Sequence, residues 1–173
     1  MATVDDFKAK LIGGGARANM FKATLAFPSY AAGDTELAQF MCKAAQLPAS
    51  VVGQIDVPYR GRQMKIAGDR TYENWTVTII NDTGSEIRDA MERWQNGINT
   101  HVSNSGLASP IDYEADLAVD QLDKAGNSVK SYTFRSAWPV NVSSIDVSNE
   151  STDTIEEFTV EFAYQYWESN TTS

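Results

Sequence analysis

Apolar and polar residues alternate along most of this chain, a period of two that predicts half-buried strands. Phe21, Ala23, Leu25 and Phe27 share one face, opposite Lys22 and Thr24, until Pro28 ends the run. After a turn over 29–36, a second strand is expected over 37–47, through Leu37, Phe40 and Cys42, with Pro48 closing it. Residues 51–57 and 75–81 read as further strands, the latter with Trp75, Val77 and Ile79 on one face and Thr76 and Thr78 on the other. Only one stretch changes period. Ile87, Met91, Trp94 and Ile98 recur at helical spacing after a possible N-cap at Asp82, Thr83 or Ser85, which predicts a helix over 85–96. Asp89 and Arg93 stand four residues apart on its outer face.

Alternation then returns. Tyr113, Ala115, Leu117 and Val119 are apolar, while Asp112, Glu114, Asp116 and Asp120 occupy the other face. Gly126-Asn127 marks a hairpin turn, followed by a strand over 129–137 that Trp138-Pro139 should end. A short strand over 140–147, a loop over 148–153 and a final strand carrying Phe158, Val160, Phe162, Tyr164 and Tyr166 complete the pattern. About eight short strands and one helix predict a mainly β single domain over 1–173, an antiparallel sandwich or barrel with one flanking α-helix. Residues 1–17 read as a flexible N-terminal arm: a short amphipathic turn (Val4, Phe7, Leu11), then a hinge at Gly13, Gly14 and Gly15.

Between the strands at 51–57 and 75–81, the alternation gives way to charge. Four of the fourteen Lys and Arg residues, Arg60, Arg62, Lys65 and Arg70, fall within this interval. Residues 58–70 therefore read as a long basic assembly loop, with Tyr59, Met64 and Ile66 available to dock it. From residue 136 to the end there are seven acids and no Lys or Arg. Such clustering is equally the pattern of a solvated surface. The sharper reading is a self-complementary subunit whose basic loop meets a neighbour's acids, with Glu150, Asp153 and Glu156 beside Asp146 as acceptors. Head-to-tail contacts of that kind generate rings or filaments.

The remaining composition narrows the field. A net charge of −9 argues against a protein that grips nucleic acid. One cysteine, Cys42, rules out an internal disulfide, and neither a signal peptide nor a membrane anchor is read from the sequence. His101 lies in a polar loop, no Cys, His and carboxylate residues cluster as a metal site would need, and the triple glycine lacks the Lys and Ser or Thr of a phosphate loop. No catalytic residue, cofactor or metal is assigned, and an enzyme is not expected. A sugar-binding sandwich using Trp75, Trp94, Trp138 or Trp167 as a stacking platform is the more distant alternative, although Trp75 and Trp94 sit on apolar faces.

Five segments carry a specific likeness: GGGARANMFKATLAFP (13–28), CKAAQLPAS (42–50), VPYRGRQMKIAGDRTYENWTVTIIND (57–82), IRDAMERWQNGIN (87–99) and FTVEFAYQYWE (158–168). With them the chain resembles the tail tube proteins of contractile-tailed, myovirus-type bacteriophages. The resemblance implies subunits that form hexameric rings, stacked into a hollow virion tube assembled in the host cytoplasm and serving as the conduit for DNA ejection. It implies as partners further copies of itself, a tail sheath protein, and baseplate and tail-terminator proteins. Tubes of phage-tail-like bacteriocins and type VI-like injection systems are similar in fold and form the runner-up. A conduit should not bind the DNA it passes, so acids are expected to face the lumen: Asp112, Glu114, Asp116 and Asp120 first, Glu157 and Glu161 as alternatives.

Overall fold

The computed structural model describes residues 3–172. Six strands run side by side in the order β1 (Phe21–Thr24), β6 (Ala115–Leu122), β7 (Ser128–Val142), β8 (Glu157–Ala163), β5 (Trp75–Ile80) and β2 (Cys42–Ala45), and β9 (Tyr166–Ser169) pairs with β7 as a seventh. All pairings are antiparallel. The sheet turns a corner within β7. Its first half lies between β6 and β9 and its second half beside β8, so the two halves of the sheet can face each other across one core.

Trp138-Pro139 was expected to end a strand, but β7 continues through it as one element of 15 residues. The register slips beside Pro139, so the missing proline N–H falls at an irregularity and not in a regular ladder. Ser136 supplies the bend with a φ of 55°. Asp116 holds this corner, its carboxylate accepting from the Ser136 N–H (3.1 Å) and from Arg135 Nη1 (2.8 Å). Arg135 also reaches Glu168 (3.1 Å), tying β6, β7 and β9 together.

The core is aromatic. The Trp75 ring stacks on Phe134 at 4.4 Å between centroids and lies 5.9 Å from Phe162, and Trp94 packs edge-on to Phe27. Both buried indoles have partners, Trp75 Nε1 donating to the Gln46 carbonyl (2.6 Å) and Trp94 Nε1 to that of Tyr113 (2.6 Å). The helix expected over 85–96 is α3, Glu86–Ile98, which buries Ile87, Ala90, Met91 and Trp94. Its outer ion pair is Arg88–Glu92, not Asp89–Arg93, because Arg93 turns to the Ala31 carbonyl (2.7 Å). Gly97 lets the Tyr30 ring lie against the helix backbone, where a Cβ would collide with it.

Three other expectations are corrected. The strand over 37–47 is a helix, α2 (Thr35–Met41), capped by Asp34 and followed by β2; only Ala38 of α2 is buried, so the sequence showed little period there. The last strand divides into β8 and β9 at Tyr164 and Gln165. Residues 58–70 are not a loop. They belong to a hairpin of β3 (Val51–Tyr59) and β4 (Arg62–Thr71), joined by Arg60 and Gly61 alone. Both turn residues have positive φ (46° and 78°), the geometry of a tight turn whose twist matches its strands. Of the expected arm, residues 1–2 lie outside the described residues, and α1 (Val4–Lys10) is exposed throughout.

Candidate assembly surfaces

The hairpin β3–β4 is a sheet of its own: its strands bond to each other and to no strand of the main sheet. Residues paired across it share a face, so Ile55 with Ile66, Val57 with Met64 and Tyr59 with Arg62 form one side. Asp56 with Lys65, Pro58 with Gln63 and Val52 with Arg70 form the other. The bulge of Gly68 and Asp69 opposite Gly53 keeps Arg70 on this second side. One face is therefore nearly all apolar, yet Ile55 is 52% exposed, Met64 55% and Tyr59 63%. A two-stranded ribbon is marginal in water when nothing covers it.

The structure brings the predicted basic residues onto this ribbon but scatters them. Arg60 caps the turn, its guanidinium 5.3 Å from the Tyr59 ring centre. Arg62 begins β4 on the apolar side, and Lys65 and Arg70 lie on the polar one. Among the described residues none of the four forms a salt bridge.

The acidic segment between β7 and β8 folds into an open trough of about 840 Å³. Asp146, Asp153, Glu156 and Glu157 line it beside the apolar Ile80, Ile145, Val147 and Ile155. Lys43 also lines it and is paired to Glu157 at 2.6 Å, which leaves the trough net negative. Glu156 is held by the residue that follows β5, its Oε2 accepting from Asn81 Nδ2 at 3.0 Å. Of the expected acceptors, Asp153 and Glu156 meet here with Asp146, while Glu150 stands outside on an exposed turn.

The four acids assigned to one strand face do not share one. Asp112 lies in the short helix α4 (Pro110–Tyr113), and Glu114 caps that helix. Pro110 starts a helical turn where alternation alone suggested strand. Only Asp116 and Asp120 belong to β6, and Asp116 is committed to Arg135 and Ser136. The other outward face, across β5 and β8, pairs Thr76 with Glu161, Thr78 with Thr159 and Ile80 with Glu157.

Burial pushes the Cys42 thiol up to about 11, which keeps it protonated at neutral pH. Among the described residues no cluster fit to hold a metal occurs, and no helix is long and apolar enough to cross a membrane. Trp75 and Trp94 are in the core and cannot form a stacking platform.

The chain buries a full core and still leaves apolar surface uncovered on the hairpin, a pattern that fits a structural subunit of a larger assembly. The sequence comparisons give the family. A model described as phage tail tube protein matches residues 15–170, and the chain belongs to that family. It is 32% identical to the tail tube protein of Serratia phage KSP90 over 168 residues, 95% of both chains. It is 33% identical to tail tube protein gp19 of Enterobacteria phage T4 over 130 residues, 75% of this chain and 80% of that one. The fold is shared with a contractile injection system sheath-tube complex (TM-score 0.67, 14% identity, 98% and 99% covered). It is shared also with the tube-terminating cap of the anti-feeding prophage (TM-score 0.67, 18% identity, 92% of both chains). The protein is thus a structural component of a contractile phage tail.

Proposed function

We propose that this subunit forms stacked hexameric rings, and that hairpin β3–β4 is the arm by which one ring holds the next. One observation carries the reading: the ribbon presents an exposed apolar face and four cations that form no salt bridge among the described residues. The trough of Asp146, Asp153 and Glu156 is its receptor, offering both apolar residues and negative charge. Tyr59 and Ile66 supply packing, and Arg60, Arg62, Lys65 and Arg70 meet the carboxylates. Pairs repeated around each ring make stacking cooperative even at about 1 kcal/mol each. Copies of the subunit are the first partners. The sheath protein surrounds the tube, and the baseplate and terminator proteins meet its ends.

The tube is the conduit for the genome, and a conduit must not hold phosphates. The outward face of β5 and β8 serves best as its lining. It carries Thr76, Thr78, Thr159, Glu157 and Glu161, and its cation, Lys43, is already bound by Glu157. The face of β1, β6 and β7 instead mixes Asp116 and Asp120 with Lys22 and Arg135. Glu157→Lys with Glu161→Lys should leave subunit folding intact and slow DNA ejection. A tube reconstruction with these side chains on the sheath side rejects the assignment.

The arm is tested with Arg62→Glu. The expected outcome is a folded subunit, single rings by electron microscopy and no extended tubes. Tubes of normal length from this variant overturn the reading. So does equal amide-exchange protection of residues 51–71 in free and assembled protein.

A further inference from the structure

The ribbon is not the only amphipathic element left uncovered. Helix α1 is capped by Thr3, whose hydroxyl accepts from the Asp6 N–H (3.3 Å) while Asp6 Oδ2 accepts from the Thr3 N–H (2.9 Å). Val4, Phe7 and Leu11 lie along one side of it, and Phe7 is 65% exposed. After it the chain swings through Gly13, Gly14 and Gly15, all with positive φ (72°, 80° and 81°), a path that only glycine follows freely three times in succession.

Beside this swing is an apolar cavity of about 370 Å³, lined by Ile12, Ala16, Met20, Leu122, Ala125 and Val129. At roughly 30 Å³ per water, it has room for an aromatic side chain and more, with few polar groups to hold solvent. Its charged lining is Arg17, Lys124 and Asp123. Asp123 is occupied by its own turn, accepting from the N–H groups of Ala125 (2.8 Å) and Asn127 (2.9 Å). Asp123 keeps its negative charge, but Arg17 and Lys124 outweigh it by one, so the lining is net positive, whereas the first turn of α1 carries Asp5 and Asp6.

The helix of the same chain does not fill this cavity. Phe7 is not among its lining residues, while Ile12, five positions later, is. To reach back, the chain would have to give up its path through Gly13, Gly14 and Gly15 and the bond from the Gly14 N–H to the Leu11 carbonyl (3.1 Å). A helix from another copy enters without that loss. In a ring of identical subunits each cavity receives one arm and each arm finds one cavity.

We infer that in the assembled tube α1 of one subunit seats the Val4, Phe7 and Leu11 stripe in this cavity of a neighbouring copy, with Asp5 and Asp6 toward Arg17 and Lys124. The inference rests on tube assembly and adds a second contact, independent of the hairpin. In a Cys42→Ala background, Phe7→Cys and Val129→Cys place one thiol on the arm and one in the cavity, both at exposed positions. Oxidised tubes should give a ladder of covalent dimers and higher multimers on a non-reducing gel, collapsing on reduction. Tubes visible by microscopy that yield only monomer, with or without an internal disulfide, overturn the inference and leave the tube reading standing. Absence of tubes from the unaltered chain overturns both. Independently of cysteine chemistry, Phe7→Ala should raise the subunit concentration needed for assembly about tenfold without moving the melting temperature, and Lys10→Ala should leave it unchanged. An unmoved threshold for Phe7→Ala overturns the inference.

Discussion

Strand β8 and the ribbon β3–β4 follow the same rule of alternation and meet opposite fates. In β8, Phe158, Val160 and Phe162 are buried in the core, Phe162 beside Trp75 and Trp94, so the strand is secured by its own subunit. In the ribbon, Ile55, Met64 and Ile66 are placed just as regularly, and among the described residues no layer covers them. The difference is the partner, not the pattern. An apolar strand face does not disclose whether its cover comes from the same chain or from the next copy.

The widest separation between the two regions is expected from truncation. Trp75→Ala removes a ring packed against Phe134 and Phe162, and should cost the free subunit about 3–5 kcal/mol. Ile55→Ala on the ribbon should change the same denaturation curve by less than about 0.5 kcal/mol while shortening tubes. Equal losses in free subunit would mean that the ribbon is packed after all, and the comparison would fail.

The same contrast explains what the sequence disclosed. Elements that fold onto the common core carry their period plainly, which is why β1, β5, β6, β8 and α3 are legible from residues alone. Residues 58–70 read as a loop because their cations break the alternation, falling on both sides of the ribbon, while 51–57 reads as the strand that forms most of β3. The ribbon's cluster of cations was legible, but its form was not. Helix α2 carries no legible helical period because it buries little more than Ala38, with Phe40 left outside. Asp112, Glu114, Asp116 and Asp120 read as one face because they alternate with Tyr113, Ala115, Leu117 and Val119, although the first two belong to or cap a helical turn that Pro110 starts. Nothing in the sequence paired Asp116 with Arg135, a contact made across two strands at a bend that only the fold creates.

That bend supports a second, smaller test. Asp116→Ala deprives the Ser136 N–H and the Arg135 guanidinium of their acceptor at the corner of β7. The ion pair is partly solvated, so the expected loss is about 1 kcal/mol in the melting of the subunit. Asp120→Ala, on the same strand without such a bond, should lose less. An identical response from both would make the corner contact incidental.

An effect of similar size, but one that depends on pH, is expected at Tyr30, where the core is fastened to α3 and the ribbon has no counterpart. The hydroxyl donates to the Trp94 carbonyl at 3.1 Å, and burial pushes its pKa up to about 12 from an ordinary value near 10. The folded chain therefore keeps a proton that the unfolded chain gives up between about pH 10 and 12. Its contribution is fully present below pH 10 and declines as pH rises through that window. Tyr30→Phe should lower stability at neutral pH by about 1 kcal/mol, through the lost hydrogen bond. It should also flatten the part of the alkaline decline that this hydroxyl causes. Chemical denaturation of the two proteins at pH 8, 10 and 11 measures both effects, since the gap between them must narrow as pH rises. A gap that stays constant would show that the Tyr30 proton is not linked to folding.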